Sequence, residues 1–187
     1  MTHLHAAGFL LRPFTSADAP AFSAAVRESM ASVGRWMDWA HAGFSDDDAL
    51  AWFAMCDAGR ADGSSHEFGI FQGAGGRFVG GAGLNKFNGQ HAFCNLGYWV
   101  RESAQRQGAA SSTVPVLARH AFETLQQTRV EIVVADGNAP SMAVARKSGA
   151  VHECLARNRL MLHGEPVAAH VFSLVPADLA TTPHASV

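Results

Sequence analysis

The chain has 187 residues, of which 48% are hydrophobic and 16% charged, and its formal net charge is −2 at pH 7. A chain of this length and composition buries a sizeable core, so we expect a folded protein with a single domain over residues 1–187. The near-neutral charge, without a Lys/Arg cluster, argues against nucleic acid as the main partner.

The N-terminus and the cysteines predict where the protein works. The first eight residues lack a basic segment followed by an apolar core, and no apolar run reaches membrane-spanning length. Cys56, Cys94 and Cys154 are odd in number and lack Cys-x-x-Cys spacing, which favours free thiols in a reducing compartment. We therefore expect a cytoplasmic protein without membrane contact. The ten histidines show no i, i+4 pair beside a carboxylate, so we expect no metal site.

The N-terminal part of the chain predicts one strand and two helices. Residues 8–14 read as the strand, and Thr15-x-x-Asp18 has the pattern of a capping box that starts the first helix. Ser45, followed by three aspartates, is a suitable cap for the second helix and places acids at its positive end.

Two tryptophans lie between these helices and need a site in which to pack. Trp36 and Trp39 are most simply core or lid residues, because large aromatic side chains bury much apolar area. Direct contact with a substrate is the alternative interpretation. Both residues are therefore candidates for a substrate site.

The middle of the chain predicts an antiparallel meander joined by glycine-rich turns. Its three strands are predicted over residues 66–72, 77–87 and 91–100. Gly80, Gly81 and Gly83 lie inside the second strand, where glycine indicates a bulge or the close approach of another group.

The C-terminal part predicts a further strand over residues 129–134 and a closing hairpin made of residues 151–161 and 167–175. The hairpin turn is expected at residues 163–166. We expect order over residues 8–176 and a loose tail over residues 177–187.

The segment 101–110 connects an aromatic, β-branched strand to a helical pattern over residues 111–125. Small residues at Gly108, Ala109 and Ala110 leave the first-turn N–H groups uncovered at the positive end of the helix dipole. This arrangement suits a phosphate-bearing cofactor, although tight packing of strand against helix requires small residues as well. Pro115 predicts a kink two turns into this helix.

A second strand-to-helix connection follows about thirty residues later. Asn138 suits the cap of the next helix, Pro140 its first turn and Gly149 its exit. Two such units with polar caps at the same end of a sheet would form one cleft between adjacent parallel strands.

Together these motifs resemble the GNAT acyltransferases of the RimJ/RimL type. The family pattern Gln/Arg-x-x-Gly-x-Gly/Ala reads Gln105-x-x-Gly108-x-Ala110, and the pattern Asn-x-x-Ser followed by Lys/Arg-x-Gly reads Asn138-x-x-Ser141 and Lys147-x-Gly149. The resemblance extends over residues 11–174. It implies an α/β (α+β) fold whose mixed, mostly antiparallel central sheet has helices on both faces and a splayed parallel strand pair that holds acetyl-CoA.

The resemblance also implies an activity, the transfer of an acetyl group from acetyl-CoA to a primary amine by direct attack in a ternary complex. Asn138 would bind the pantetheine arm, and Ser141 would donate a proton to the sulfur or only position the cofactor. Trp36 and Trp39 would border the acceptor. The residues whose main chain would hold the pantetheine and the pyrophosphate are Trp99, Val100, Gln105, Arg106, Gln107, Gly108, Ala109 and Ala110.

The general base is open at this stage. The positions where many relatives carry an acid read Asn95 and Leu160, and a water chain is a further possibility. The substitutes considered are Glu67, Glu102, His91 and His163.

The acceptor and the oligomeric state are open as well. A protein N-terminal amine, whose ordinary pKa is about 8, needs less help than a lysine and is favoured. A polyamine, an amino sugar and an antibiotic are alternatives, and so is a non-catalytic coenzyme A sensor. A nucleotide-binding domain is disfavoured, because no P-loop or Gly-x-Gly-x-x-Gly motif follows a strand. Monomer and homodimer are both compatible with the sequence.

Overall fold

The computed structural model describes residues 2–73 and 76–180. In these ranges the strands are β1 (Leu4–Ala6), β2 (Phe9–Arg12), β3 (Ser65–Gln72), β4 (Arg77–Asn88), β5 (Phe93–Val100), β6 (Arg129–Ala135), β7 (Val151–Leu162) and β8 (Glu165–Leu174). The α-helices are α1 (Ala19–Glu28), α2 (Asp46–Asp62), α3 (Ala109–Glu123), α4 (Ala139–Lys147) and α5 (Pro176–Ala180). In the described part of the chain, no helix is both long and apolar enough to span a membrane.

One mixed sheet organises the fold, with strand order β1-β2-β3-β4-β5-β6-β8-β7. Among the described strands, β5 and β6 form the single parallel pair and the other neighbours are antiparallel. Val114 and Leu117 of α3 pack on one face, and Phe22 of α1 and Phe53 of α2 pack on the other. The predicted fold class, including helices on both faces, is confirmed.

Two helix starts follow the predicted capping pattern. At the entry to α1, the amide and hydroxyl of Thr15 donate to Asp18 Oδ2 at 2.8 and 2.9 Å. At α2, Ser45 Oγ accepts from the Asp48 amide at 3.1 Å, while the Ser45 amide donates back to Asp48 Oδ2 at 2.8 Å. The bonds at Ser45 are reciprocal, and both sets satisfy donors that a helix start otherwise leaves unpaired.

The chain ends differ from the sequence prediction. The strand expected over residues 8–14 is confirmed as β2 over Phe9–Arg12, but it is not the first strand, because a turn at Gly8, with a φ of +87°, joins it to β1. Pro176 was expected to end the ordered part, but it begins α5, as proline at a first helical position can. Leu179 of α5 is buried in the core. Residues 181–187 of the predicted loose tail lie outside the described residues.

The turn of the closing hairpin starts where predicted but is two residues shorter. Its turn consists of His163 and Gly164, which adopt φ values of +50° and +81°. Pro166 was expected in the turn but lies within β8, where it pairs with Met161 of β7.

Helix α3 runs through Pro115 as one helix. Pro115 has no amide hydrogen to donate to the carbonyl of Ser111, one turn earlier. That carbonyl instead accepts a hydrogen bond from Ser148 Oγ, just after α4, at 3.3 Å. The neighbouring helix therefore compensates for the proline, and a kink at this position stays a prediction.

Candidate active site

The parallel strands β5 and β6 separate after a short paired stretch. Their register pairs Phe93, Cys94 and Asn95 with residues 129–131 and ends there. Beyond this point β5 remains paired with β4 as far as Val100, while β6 remains paired with β8. The C-terminal half of β5 thus has no partner on its β6 side, and a cleft lined by backbone donors and acceptors opens between the two strands. The predicted splay of the strand pair is confirmed.

The start of α3 lies at the mouth of this cleft. Gly108 caps the helix with a φ of +87°, and its carbonyl accepts the first helical bond, from the Ser112 amide at 3.0 Å. The amides of residues 109–111 therefore precede the helix's own hydrogen-bond pattern and can bind an anion. A cavity of about 320 Å³ faces them, lined by Ala7, Phe9, Gln107, Gly108, Ser111, Ser112 and Lys147.

The predicted phosphate-binding residues occupy four kinds of position. Gln107 and Gly108 line the cavity, whereas the side chains of Ala109 and Ala110 are buried and allow α3 to approach the sheet closely. Gln105 Nε2 donates to the carbonyl of Val100 at 3.2 Å, which ties the turn to the end of β5. The side chain of Arg106 is exposed.

Lys147, on the last turn of α4, brings a cation to the same cavity. Sequence reasoning identifies Lys147 only as a motif position, because its role depends on how α4 packs against α3. An anion in this cavity would therefore face both the positive end of α3 and an ammonium group.

The start of α4 borders the cleft from the β6 side. Asn138 Oδ1 caps the helix by accepting the Ser141 amide at 3.2 Å. The hydroxyl of Tyr98, on β5, donates to the Ser141 carbonyl at 2.9 Å and lies 3.1 Å from Ser141 Oγ. Burial raises the pKa of Tyr98 to about 12, so its phenol is protonated at neutral pH. Tyr98 was missed from the sequence, although strand alternation places it on the α4 face, opposite to Trp99.

Glycines in β4 make room for side chains on the α1/α2 face of the sheet. A β-carbon on Gly81 would lie 2.8 Å from Trp99 Nε1, and one on Gly83 would lie 1.9 Å from Glu67 Oε2. The indole and the carboxylate thus occupy neighbouring gaps along one strand. The predicted close approach is confirmed, and the register shift beside Gly80 confirms the predicted bulge.

The segment between α1 and α2 covers this face of the cleft. The ring of Trp39 lies 5.5 Å from that of Trp99, and 41% of the residue remains exposed. Trp36 reaches the turn before α4, where its Cη2 lies 3.8 Å from the β-carbon position of Gly137. Trp39 thus lies beside Trp99, and Trp36 lies beside the turn before Asn138. The placement fits a lid and leaves substrate contact as a proposal.

The lid segment is fastened to its surroundings at two places. The His163 amide, at the tip of the β7–β8 hairpin, donates to Asp38 Oδ1 at 2.9 Å. At the end of α1, Glu28 pairs with Arg101 and accepts the Ser103 amide at 2.7 Å. The hydrogen bond from Arg101 lowers the pKa of Glu28 to about 2. The end of α1, from which the lid continues, is therefore bonded directly to the turn that precedes α3.

Two of the substitutes considered for the base are engaged elsewhere, and a third lies away from the cleft mouth. Glu102 accepts a hydrogen bond from Ser32 at 3.1 Å, and His163 Nε2 lies 3.2 Å from the Arg35 carbonyl. His91 lies in the turn before β5, at the end opposite to the cleft mouth. Leu160 lies on β7, which is an edge strand. In the described ranges, no three His, Cys, Asp or Glu side chains are grouped so that they could hold a metal ion.

A sheet that splays between two parallel strands, with an open helix start at the mouth, is the architecture of the acyltransferases that the motifs resemble. A family model described as an acetyltransferase (GNAT) domain matches residues 9–151. The chain belongs to this family.

Individual relatives agree with this assignment. A Vibrio cholerae structure, provisionally described as a ribosomal-protein-serine acetyltransferase, is 32% identical with a TM-score of 0.83, over 94% of this chain and 98% of that chain. RimJ of Mycobacterium smegmatis, solved in complex with CoA-disulfide, has a TM-score of 0.85 over 97% of this chain and 89% of that chain. At 24% identity, this structure supports the fold alone. YdaF of Bacillus subtilis (strain 168), provisionally named a ribosomal N-acetyltransferase, is 30% identical over 89 residues, 48% of this chain. The match spans about half of that curated relative, 49% of its length.

Proposed function

We propose that the protein is an acetyl-CoA-dependent N-acetyltransferase that acts by direct attack of an amine on the thioester in a ternary complex. The observation that carries the proposal is the open start of α3 beside the splay of β5 and β6. An anion-binding helix start and an unpaired strand edge lie next to each other there. A diphosphate joined to an amide-rich arm is the kind of ligand that fits both.

The residues at this position fit acetyl-CoA. Gln107, Gly108 and the amides of residues 109–111 would hold the pyrophosphate, with Lys147 supplying a compensating charge. The free edge of β5 at Trp99 and Val100 would pair with the pantetheine amides. Asn138 Nδ2 remains available to the arm, because Oδ1 is the atom that caps α4. The match of residues 9–151 to the acetyltransferase (GNAT) family model supports acetyl-CoA as the ligand.

Proton transfer to the leaving sulfur would come from the hydrogen-bonded pair of Ser141 and Tyr98. Ser141 alone is a poor acid, but the phenol of Tyr98, 3.1 Å away, would turn its proton from the Ser141 carbonyl to Ser141 Oγ as Ser141 gives its own proton to the sulfur. As the amine attacks, the carbon–sulfur bond breaks and the thiolate accepts a proton through this pair. Ser141 acts by position more than by acidity.

The acceptor that we propose is the N-terminal α-amine of a protein. The Vibrio cholerae relative and YdaF are both provisionally named for ribosomal proteins or ribosomal acetylation, which supports a protein acceptor. An α-amine has a pKa of about 8, so a larger fraction is neutral at pH 7 than for a lysine. The lid with Trp36 and Trp39 would border this amine.

Two measurements test the proposal. Thermal shift with acetyl-CoA, ATP and NAD should show stabilisation by acetyl-CoA, since a ligand stabilises the fold in proportion to its excess over Kd. Thiol release should then occur with a lysine-free peptide that has a free α-amine, and not with a lysine-containing peptide whose α-amine is blocked. Stabilisation by ATP or NAD alone contradicts the cofactor. Acetylation of only a polyamine or an amino sugar would replace the protein acceptor, and binding without any turnover would indicate a coenzyme A sensor.

A further inference from the structure

A partly buried carboxylate lies on the α1/α2 face of the sheet, close to the cleft. Glu67 of β3 extends across Gly83 of β4, whose missing side chain provides the space. Asn85 Nδ2 donates to Glu67 Oε1 at 3.0 Å, and Asn95 Nδ2 donates in turn to Asn85 Oδ1 at 3.0 Å. This row of amides fixes one carboxylate oxygen and leaves Oε2 as a free acceptor among the described contacts.

Glu67 is not neutralised by a cation. Arg60 of α2 donates to the backbone carbonyl of Glu67, and within the described residues no basic side chain forms an ion pair with its carboxylate. Burial raises the pKa of Glu67 above its ordinary value. The hydrogen bond from Asn85 and the charge of Arg60 lower the pKa, but by less. Cys56 of α2 is the other titratable group facing the carboxylate, and burial keeps it a neutral thiol. A carboxylate in this setting is a stronger base than one in water.

An open position lies directly beside this carboxylate. Gly83 is the cross-strand partner of Gly97 on β5, and partners in an antiparallel pair have Cα atoms about 5 Å apart. A β-carbon on Gly97 would meet no heavy atom within 4 Å, so the space above it is free. Gly97 precedes Trp99 by two residues and therefore lies on the same face of β5, in its unpaired half. A group bound above Gly97 is within reach of Glu67 on one side and of the cleft on the other.

We propose that Glu67 is the general base, accepting a proton from the acceptor ammonium bound above Gly97. This inference rests on the proposed function. Glu67 Oε2 takes the first proton and the neutral nitrogen attacks the thioester carbon. A carbon–nitrogen bond forms and the carbon–sulfur bond breaks. The leaving thiolate takes a proton from the pair of Ser141 and Tyr98, and the second proton that the nitrogen loses replaces it. Asn85 and Asn95 are positioning residues, because they hold the carboxylate and do not face the thioester.

The decisive variant is Glu67→Gln, which keeps the shape and can still bond to Asn85. We expect kcat to fall about 100-fold or more at pH 7, because a general base typically accelerates a reaction by at least about that factor. The affinity for acetyl-CoA should be unchanged. The deficit should shrink as the pH rises above the acceptor amine pKa of about 8, where the amine is already neutral. Glu67→Asp should retain intermediate activity. Glu123→Gln, which removes an exposed carboxylate on α3, is the matched control and should behave as the wild type.

The outcomes separate this inference from the proposed function. A Glu67→Gln kcat within threefold of the wild type, with the wild type active, overturns the role of Glu67 alone. An equal loss at every pH also overturns it, because a structural effect would not follow amine ionisation. A wild type that binds acetyl-CoA but releases no thiol with any amine rejects the proposed function and, with it, the role of Glu67.

Discussion

Replacing Gly108 with valine tests whether the turn before α3 binds the pyrophosphate. Gly108 has a φ of +87° and open space around its β-carbon position, so the cost of a side chain is mainly conformational. A non-glycine residue in the left-handed region costs about 1–2 kcal/mol, which lowers Tm by roughly 2–8 °C for a chain of this size. The valine would also cover the first-turn amides. Losing one hydrogen bond to a charged ligand, about 1.5–3 kcal/mol, weakens acetyl-CoA binding about 10- to 100-fold.

Gly63→Val provides the control for this experiment. Gly63 ends α2 with a φ of +77° and equally open surroundings, and it does not line the cavity at the start of α3. Both variants should lose similar stability by differential scanning calorimetry, while only Gly108→Val loses affinity by isothermal titration calorimetry well below Tm. Equal Kd values for the two variants would refute the assignment of this turn to the cofactor.

Three further predictions concern the other charges and hydroxyls of the molecule. Lys147→Gln should weaken acetyl-CoA binding about tenfold and make the binding less dependent on salt concentration. The control variant Lys86→Gln should show neither effect, and binding titrations at two ionic strengths check both variants. Ser141→Ala should lower kcat about tenfold, with a smaller change in Kd, in thiol-release and binding assays; equal losses would leave Ser141 only a binding role. Hydrogen bonds from Arg129 and Ser173 lower the pKa of Glu153 to about 2, so its stabilisation is present above about pH 4.5 and lost as the pH falls toward 2. Glu153→Gln should therefore lower Tm at pH 7, and a difference that persists at pH 2 would contradict this.

Elements with strong local patterns were predicted correctly from the sequence. The caps at Ser45 and Asn138 and the glycine turn at Gly108 depend on neighbouring residues along the chain, so the sequence specifies them. Strand β1 was missed because it has only three residues, too few to show a period of two. The start of α5 was missed because proline can either end a segment or begin a helix.

The site residues that were missed or left open depend on tertiary contacts. Lys147 reaches the cavity at the start of α3 only because α4 packs beside α3. Tyr98 becomes informative when its hydroxyl meets Ser141, 43 residues away. Glu67 was one of several candidates until the strand register placed it over Gly83 and beside Gly97. Sequence spacing cannot supply that register, because each strand pairing is a separate long-range choice.

The thiols argue for direct transfer and against an acyl-enzyme intermediate. A cysteine must be a thiolate to attack a thioester, and burial raises the pKa of both Cys56 and Cys94 to about 12. Cys154 is exposed on β7, which β6 and β8 separate from β5. The two faces of β5 instead present different groups: Glu67 lies over Gly83, beside the open position above Gly97, on one face, and Tyr98 contacts Ser141 on the other. Because alternate residues of one strand face opposite sides, a thioester lying along the edge of β5 would be accessible to a base and to a proton donor at once.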